Sequence, residues 1–496
     1  MTDESSHTRP TPPIELTGAG THLEYPPTEL TPGQLDTLGT ICETVTSADE
    51  IGEASRDWWP LALHWSIAGE TPTRASAVCR PRSTDEVAGV LRFANDAFIP
   101  VAAAGGRSSV TGSPLPLYGG IVLDMTEMRG VVSIDDESLT AEVFAGTFGP
   151  DYEGHLRDRG LTGGHYPQSM DISTVGGWLA CRGAGQYSTR YGKIEDIVTG
   201  LEVVLADGNV VHTGGAPKAA VGPDLTQLFV GSEGTLGIIT KAWLRVHPVA
   251  TSERRAAFGF SSFVDGVEAC RRILRRGATP AVLRLYDGQE TQRSHGGDGS
   301  VCALLVLDEG DPAIVDATMT VVSEECAPAL PLDVGLVAGW MTHRNDTGGL
   351  QALTRKGFVV DTMEIAAPWS KLATLFDDVR AALMSVPTAR AATCHLSHSY
   401  LDGACLYFTF AATPEPADVE ATYVAMWDAG TRATLAGGGN LSHHHGVGLN
   451  RSRFVAESLG TGLDVLRAVK DALDPNGVLN PGKLGLTTVI GSTVWP

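Results

Sequence analysis

Three consecutive histidines near the C-terminus are the densest group of proton-transferring side chains in the sequence. His443, His444 and His445 lie in the segment GGGNLSHHHGVG, with glycines on both sides. Histidine titrates near neutral pH and relays protons, and the glycines allow the backbone to approach a ligand closely. Consecutive side chains do not converge on one metal ion in a regular helix or strand, so this loop alone does not predict a metal centre. A solvated polar loop is the alternative interpretation.

A second polar cluster precedes this loop, in the segment CHLSHSYLDGACLYF from Cys394 to Phe408. Tyr407 lies three residues into its apolar part, where side-chain alternation places it on one face of a predicted strand with Cys405 and Thr409. Taken alone, this placement is typical of a core tyrosine whose hydroxyl bonds a backbone carbonyl.

Glycine accounts for 58 of the 496 residues, above the usual ~7%, without the period of collagen. Seven of these glycines lie in three segments: Gly105–Ser109, Pro167–Gly177 and Gly231–Ile239. The first follows the apolar run IPVAAA, so a strand runs into a loop whose free amides can wrap a pyrophosphate. Each segment alone is typical of a tight turn, and the GxGxxG fingerprint of a nicotinamide dinucleotide fold is absent.

Length and composition limit the classes of protein. A chain of 496 residues predicts two or more domains, and a net charge of −22 excludes a nucleic-acid partner. The eight cysteines form no CxxC pair, which indicates reduced thiols rather than a disulfide framework or a thiolate zinc site. The polar segment MTDESSHTRP lacks a signal-peptide core, and no stretch has the length of a membrane span, so the expected location is the cytoplasm.

Local patterns divide the chain. Residues 1–34, rich in Thr and Pro, predict a surface arm, and residues 35–72 an N-terminal helical segment. Ser83 and Glu86 form the capping box of a predicted helix, and Asp207-Gly208 predicts a hairpin with a type I′ turn. From about Ala250, helices alternate with strands, which predicts a separate domain with helices on an antiparallel sheet.

In this order and spacing, the three glycine-rich segments resemble the FAD-binding domain of the vanillyl-alcohol oxidase and p-cresol methylhydroxylase superfamily. The resemblance covers the chain from about Thr73 onward, including DPNGVLNPGK. It implies an α+β fold with an FAD-binding domain over 73–249, an inserted antiparallel-sheet cap domain over 250–435, and a segment over 436–496 that returns to the FAD domain. Because no His or Cys lies in Gly105–Ser109, noncovalent FAD is expected. The resemblance assigns these residues to FAD: Gly105, Gly106, Arg107, Ser108, Ser109, Ser169, Met170, Asp171, Ser173, Thr174, Gly176, Gly177, Arg182, Glu233, Gly234, Thr235, Gly237, Ile238 and Ile239.

Within this superfamily, DGACLYF and LSHHHGVG resemble the alkyldihydroxyacetonephosphate synthase family, as do DWWPLAL and APW. Flavin dehydrogenases of D-lactate and related 2-hydroxy acids carry HxGDGNxH and GEHGxG segments, which can bind a divalent metal. Tyr407 stands where that pattern has His, and His444 where it has Glu, so no metal is expected. The resemblance implies exchange of the acyl group of an acyldihydroxyacetone phosphate for a long-chain alcohol through a flavin N5 adduct, without net redox.

The same resemblance assigns roles to individual side chains. Tyr407 would be the acid/base residue, and His443, His444 and His445 would handle protons and bind substrate. Nearby imidazolium or guanidinium groups are expected to stabilise the Tyr407 phenolate. Two arginines, Arg284 and Arg344, would bind a phosphate or carboxylate in a fork geometry. Their alternatives are a solvent-facing strand arginine and a helix-surface ion pair.

Two other functions remain open at this point. One is an FAD-linked oxidase or dehydrogenase of a 2-hydroxy acid or alcohol, because this fold hosts several chemistries. The other is a flavin-binding protein without enzymatic activity. The expected partner is a small lipid substrate that carries a phosphate or carboxylate, and a peripheral membrane contact and a homodimer are both compatible with the sequence.

Overall fold

Three β-sheets organise the chain in a computed structural model, which describes residues 20–25, 27–346, 352–486, 489–491 and 495. A mixed four-stranded sheet has the order Glu43–Val45, Ala77–Arg80, Ile121–Asp124 and Val101–Ala104. An antiparallel five-stranded sheet has the order Val210–Gly214, Val198–Val204, Ile238–Arg245, Thr140–Phe144 and Val131–Asp135. Two pairs of short strands accompany them: Gly20–Thr21 with Glu70–Thr71, and Leu161–Thr162 with His247–Pro248.

The third sheet lies entirely within residues 250–435, the expected cap domain. It has seven antiparallel strands, in the order Leu330–Pro331, Ser252–Phe260, Cys302–Gly310, Val282–Tyr286, Ala389–Ser399, Gly403–Ala412 and Val359–Pro368. The expected α+β fold with an antiparallel cap sheet is therefore confirmed.

Helices pack on these sheets. The longer ones are Pro32–Ile41, Pro60–Ile67, Thr84–Asp96, Gly149–Arg157, Phe263–Arg275, Gly288–His295, Pro312–Glu325, Gly335–His343, Trp369–Met384, Val419–Ala436 and Gly462–Leu473. Shorter ones are Ala48–Ala54, Val175–Cys181, Ser188–Tyr191, Ile194–Ile197, Leu225–Phe229 and Val455–Leu459. Within the described ranges, no helix combines the length and the apolar character that crossing a membrane would require.

Two local predictions can be compared with the structure in detail. Ser83 caps the helix Thr84–Asp96 by accepting a hydrogen bond from the backbone N of Glu86 at 3.2 Å. The predicted hairpin forms between Val198–Val204 and Val210–Gly214. Its turn differs from type I′, because Gly208 has φ +79° while Asp207 stays outside the left-handed region and accepts from a backbone N–H two residues on.

The structure also differs from the expected surface arm. From residue 20 onward the segment packs against the protein: the His22 ring stacks on Trp65 at 4.2 Å, and the buried Tyr25 packs edge-on against Tyr118. The following helix begins at Pro32 rather than 35, because Thr31 provides its capping box. The rest of the expected arm, residues 1–19, lies outside the described residues.

The C-terminal segment returns to the first half of the fold. After the helix Gly462–Leu473, Val478 and Leu479 enter the core of the four-stranded sheet, where Leu479 bridges to Val101. This return places the histidine loop, which precedes that helix, between the two halves of the chain.

Candidate active site

A cavity of about 1040 Å³ lies between the FAD-binding half and the cap sheet. It brings together residues from all three glycine-rich segments, the cap strands and the histidine loop. Of the residues assigned from the sequence, the following line its wall: Gly105, Gly106, Arg107, Ser108, Ser109, Ser169, Ser173, Thr174, Gly176, Gly177, Glu233, Gly234, Gly237, Ile238, Ile239, Arg284, Arg344, Tyr407, His444 and His445.

Five assigned residues lie off that wall in the described part of the chain: Met170, Asp171, Arg182, Thr235 and His443. Arg182 ends the helix Val175–Cys181 with φ +56°, and its guanidinium turns away to the Gln227 side chain. Met170 is buried in the protein core, Asp171 is exposed, and the Thr235 hydroxyl closes a turn by donating to the Ser232 carbonyl. His443 lies behind its neighbours, where its Nε2 is 2.9 Å from the Tyr400 hydroxyl.

The loop after strand Val101–Ala104 is shaped for an anionic group. A Cβ on Gly105 would lie 2.2 Å from Thr174 Oγ1, and one on Gly106 would lie 2.1 Å from the Ile172 carbonyl oxygen. Arg107 follows at φ +52° and is buried, and its Nη1 lies 3.6 Å from the Asp124 carboxylate. Its Nε and Nη1 still make no hydrogen bond among the described residues, and buried guanidinium donors without a hydrogen bond favour binding of an anion. These residues therefore fit the diphosphate of FAD.

Replacing Gly106 with alanine tests this fit. The new methyl group would push the loop away from the Ile172 carbonyl, because backbone cannot yield as a flexible side chain would. We expect the affinity for FAD to fall by about 10- to 100-fold, measured by calorimetric titration of apoprotein. The control is Gly154→Ala, at an exposed position of the helix Gly149–Arg157 where a new Cβ would have no described atom of another element within 4 Å. Equal FAD affinity in both variants would contradict the assignment of this loop.

Glu233 connects the third glycine-rich segment to the histidine loop. Its buried carboxylate accepts hydrogen bonds from Val447 N at 2.6 Å, Gly448 N at 2.8 Å and Ser113 Oγ at 2.9 Å. Burial raises the pKa of Glu233 above its usual range, against these hydrogen bonds. The residue therefore fixes the end of the histidine loop against the FAD-binding half.

A row of polar residues crosses four strands of the cap sheet. Tyr407 pairs with Glu364 on one neighbouring strand and with His395 on the other, and His395 pairs with Tyr286. Directly opposed residues on adjacent strands point to the same face. The His395 ring stacks on Tyr407 at 4.8 Å, and the Tyr407 hydroxyl donates to Thr362 Oγ1 at 3.0 Å. Tyr407 is therefore held by a side chain and by stacking rather than by the backbone carbonyl of the core interpretation.

Glu364 binds both the backbone and one ring of the histidine loop. Its fully buried carboxylate accepts two hydrogen bonds from Arg451, at 2.8 and 2.6 Å, and one from His445 N at 3.0 Å. His445 Nδ1 also lies 2.9 Å from the same carboxylate. Burial acts to raise the pKa of Glu364, but Arg451 and His445 hold it well below the usual range. The carboxylate is therefore ionised, and it orients one imidazole of the loop.

Burial changes the protonation expected from the sequence. It raises the pKa of Tyr407 and lowers the pKa of His443 and His444 well below the usual range. The expected imidazolium groups beside a phenolate are therefore replaced by neutral imidazoles beside a protonated phenol. The Arg284 guanidinium acts in the expected direction on Tyr407, but burial outweighs it. In this state Tyr407 is a proton donor and the imidazoles are acceptors.

The neutral histidines predict acid sensitivity. His398, His443 and His444 have folded pKa values well below 6.5, so the unfolded chain takes up protons first as the pH falls. We expect the free energy of unfolding to fall below about pH 6.5 by about 1.4 kcal/mol per pH unit for each histidine. Urea unfolding between pH 7 and 5 measures how the free energy of unfolding changes with pH. In His444→Gln this slope should be smaller by the contribution of one histidine, about 1.4 kcal/mol per pH unit. An unchanged slope in that variant would contradict a neutral, buried His444.

Two arginines flank one tryptophan on the cavity wall. The guanidinium carbon of Arg284 lies 5.8 Å from the Trp340 ring centroid, and that of Arg344 lies 5.9 Å away. Arg284 Nε donates to Tyr286 Oη at 2.7 Å. Arg344 Nη1 is buried and has no hydrogen-bond partner within the described ranges. The arrangement differs from a solvent-facing strand arginine and from a helix-surface ion pair, and it leaves guanidinium donors available for an anion.

Sequence reasoning missed several partners of the histidine loop. Cys405 Sγ lies within 4.8 Å of ring nitrogens of His443 and His444, so a third group of metal-binding type approaches the loop from a strand. The two Nδ1 atoms of those histidines are 2.8 Å apart and share a hydrogen bond. Glu364 and Arg451 were also missed, although a lone Glu in the apolar run VVDTMEIAAP is a detectable signal.

Two protein-family descriptions match this chain, and both refer to FAD. The family description "FAD binding domain" matches residues 75–214, and "FAD linked oxidases, C-terminal domain" matches residues 250–484. The second match extends beyond the expected cap boundary at 435 and includes the histidine loop. An uncharacterized FAD-linked oxidoreductase of Escherichia coli is 31% identical over 431 residues, covering 82% of this chain and 88% of the relative.

Other similar proteins include alkyldihydroxyacetonephosphate synthases. The one from Dictyostelium discoideum is 29% identical over 455 residues, covering 84% of this chain and 74% of the relative. A solved alkyldihydroxyacetonephosphate synthase structure superposes with a TM-score of 0.78 at 25% identity, covering 93% of this chain and 87% of the other. The fold is shared with p-cresol methylhydroxylase, at a TM-score of 0.71, 16% identity, and coverage of 94% and 99%. The chain belongs to the FAD-linked oxidases, and its cofactor is FAD.

Proposed function

We propose that this chain exchanges the acyl group of an acyldihydroxyacetone phosphate for a long-chain alcohol, as in the alkyldihydroxyacetonephosphate synthases that it resembles. One observation carries the proposal: a single cavity holds Tyr407, His444 and His445 beside Arg284 and Arg344, and reaches the FAD-binding loop. FAD, when bound, supplies the flavin N5 at which the family resemblance places the covalent chemistry.

The two arginines are the proposed binding site for the substrate phosphate. Both guanidinium groups lie within about 6 Å of the Trp340 ring centroid, and each lines the same cavity. A guanidinium donates two parallel hydrogen bonds to phosphate oxygens, which fixes orientation as well as supplying charge. This local positive site lets a protein with a net charge of −22 bind an anionic substrate.

Tyr407 and the histidine loop are the proposed proton-handling groups. The Tyr407 hydroxyl is protonated, and the rings of His444 and His445 lie 5.9 and 5.8 Å from its ring. A phenol that donates and a neutral His444 imidazole that accepts can return a proton to, or remove one from, a carbon beside the carbonyl of dihydroxyacetone phosphate. Because Glu364 orients His445, the loop is held for this transfer before substrate binds.

The cavity wall opposite the FAD-binding loop suits an alkyl chain. Leu336 and Trp340 from the helix Gly335–His343 line it together with Leu353. Apolar walls with a few placed polar groups are typical of sites that orient an amphipathic ligand. Leu336 and Leu353 therefore add apolar surface beside Trp340, the residue over which the two arginines lie.

The test uses purified, FAD-loaded protein with palmitoyl-dihydroxyacetone phosphate and hexadecanol, in the absence of oxygen and electron acceptors. We expect release of palmitate that depends on hexadecanol, with one alkyl product formed per palmitate. Arg344→Met should raise the KM for the phosphate substrate with a smaller effect on kcat, because it removes a binding contact rather than a reacting group.

The competing function is an FAD-linked oxidation of a 2-hydroxy acid or alcohol, which the similarity to the FAD-linked oxidoreductase of Escherichia coli suggests. Bleaching of the flavin absorbance by D-lactate or glycolate, with electrons recovered on a dye and no palmitate released in the first assay, would reject the exchange reaction. Palmitate release without reduction of the dye would reject the oxidation.

A further inference from the structure

A buried carboxylate and imidazole form a second pair on the cavity wall. His395 Nδ1 lies 2.8 Å from Glu290 Oε1, and each residue is 4% exposed. His395 comes from the strand Ala389–Ser399 and Glu290 from the helix Gly288–His295, and both line the cavity that holds Tyr407. Neither residue has a role in the proton transfers assigned above to Tyr407 and the histidine loop.

The fold fixes this pair from both sides. Asp287 caps the helix by accepting a hydrogen bond from Glu290 N at 2.7 Å. Its second oxygen accepts from Cys394 N at 2.8 Å, and the Asp287 N–H donates to the Cys394 carbonyl at 2.9 Å. One carboxylate therefore ties the start of the helix to the strand residue beside His395. The distance between Glu290 and His395 is set by backbone contacts as well as by their own hydrogen bond.

The pair has the chemistry of an oriented base. Burial lowers the pKa of His395 to about 4, so the imidazole is neutral at pH 7. The ionised Glu290 favours the tautomer with its proton on Nδ1, which leaves the Nε2 lone pair to accept a proton. A carboxylate in this position also stabilises the imidazolium that forms on proton uptake. The ring stacks on Tyr407 at 4.8 Å with an interplanar angle of 17°, which places it beside the proposed reacting groups.

We propose that His395, oriented by Glu290, accepts the hydroxyl proton of the alcohol substrate. This inference rests on the proposed function. In the exchange, the O–H bond of the alcohol breaks and its electron pair forms the new ether C–O bond. The proton moves to Nε2 of His395, and the fatty carboxylate leaves with the electron pair of the old C–O bond. His395 then releases the proton to solvent, so that charge and atoms balance over the turnover. Glu290 is a positioning residue, because it acts through His395.

Three variants of FAD-loaded protein test the pair. His395→Gln is expected to lower kcat by about 100- to 1000-fold, with the KM for hexadecanol within threefold of wild type. Glu290→Gln retains the shape of the side chain but removes its charge, and we expect a decrease of about 10- to 100-fold in kcat. In His395→Gly, added imidazole is expected to restore activity in proportion to its concentration, because it can occupy the vacated site and take the proton. The control is His247→Gln, a part-buried histidine outside the cavity wall among the described residues.

The outcomes separate this inference from the proposed function. His395→Gln within threefold of wild type would overturn the inference while the exchange activity stands. Loss of activity without imidazole rescue in FAD-loaded His395→Gly would assign the pair a packing role and also overturn it. If wild-type protein instead oxidises a 2-hydroxy acid, the exchange function fails, and an oxidation rate of His395→Gln within threefold of wild type would then overturn the inference as well. If His395→Gln does not fold, an unchanged kcat in Glu290→Gln would by itself overturn the inference.

Discussion

Replacing Tyr407 with phenylalanine is expected to lower kcat by about 100- to 10,000-fold, because the reaction loses its positioned proton donor. The substitution removes one oxygen atom and retains the ring that stacks on His395 and His444. The hydroxyl donates only to Thr362 Oγ1 among the described residues, so its loss leaves one hydroxyl acceptor unused and little else changed. Turnover is measured in the anaerobic exchange assay, and FAD content by the flavin absorbance of the same preparation.

The matched control is Tyr152→Phe. Tyr152 is buried in the FAD-binding half, and its hydroxyl has no hydrogen-bond partner in the described part of the chain. Removing that hydroxyl is expected to leave kcat within twofold of wild type. If Tyr407→Phe retains FAD and turns over within a fewfold of wild type, Tyr407 is not the acid/base residue. Loss of FAD in Tyr407→Phe would instead indicate a structural role for the hydroxyl.

The parts of the site built from contiguous segments could be predicted from the sequence. Gly105–Ser109 follows an apolar strand, and the histidine loop is flanked by glycines, so type and spacing indicated both. Within these segments the direction of individual side chains could not be read. Arg182 follows the second glycine-rich segment and was assigned to FAD, yet its left-handed backbone at φ +56° turns it away from the cavity. Such a reversal depends on tertiary contacts with a helix that sequence periodicity does not connect to it.

The parts built from distant segments could not be predicted. Glu364 and Arg451 are 87 residues apart, and Glu290 and His395 are 105 apart, so no local pattern connects either pair. Their contact follows from the register of the cap strands and from the return of the C-terminal segment. The expectation of a stabilised Tyr407 phenolate was wrong for the same reason. Its type and charged neighbours could be named, but the burial that raises its pKa is a property of the folded cavity.

Replacing Arg451 with methionine is expected to lower the free energy of unfolding by about 3–5 kcal/mol, because it leaves the ionised Glu364 buried without its guanidinium partner. Both side chains are completely buried, so water cannot take the place of the lost donors. The histidine loop should also lose its fixed position, since Glu364 accepts from His445 N and contacts its ring. Urea unfolding measures stability, and the exchange assay measures the effect on kcat.

The double variant Glu364→Gln/Arg451→Met separates the charge from the packing. Glutamine is neutral and retains an oxygen that can accept from the loop backbone, so removing both charges avoids leaving one of them isolated. The double variant is therefore expected to be more stable than Arg451→Met, although it lacks two native groups instead of one. The single variant Glu364→Gln completes the comparison. If the losses of unfolding free energy in the two single variants add up to the loss in the double variant, Glu364 and Arg451 are not coupled. An activity loss that persists in a stable double variant would show that the loop needs the carboxylate beside His445 for catalysis, apart from its contribution to folding.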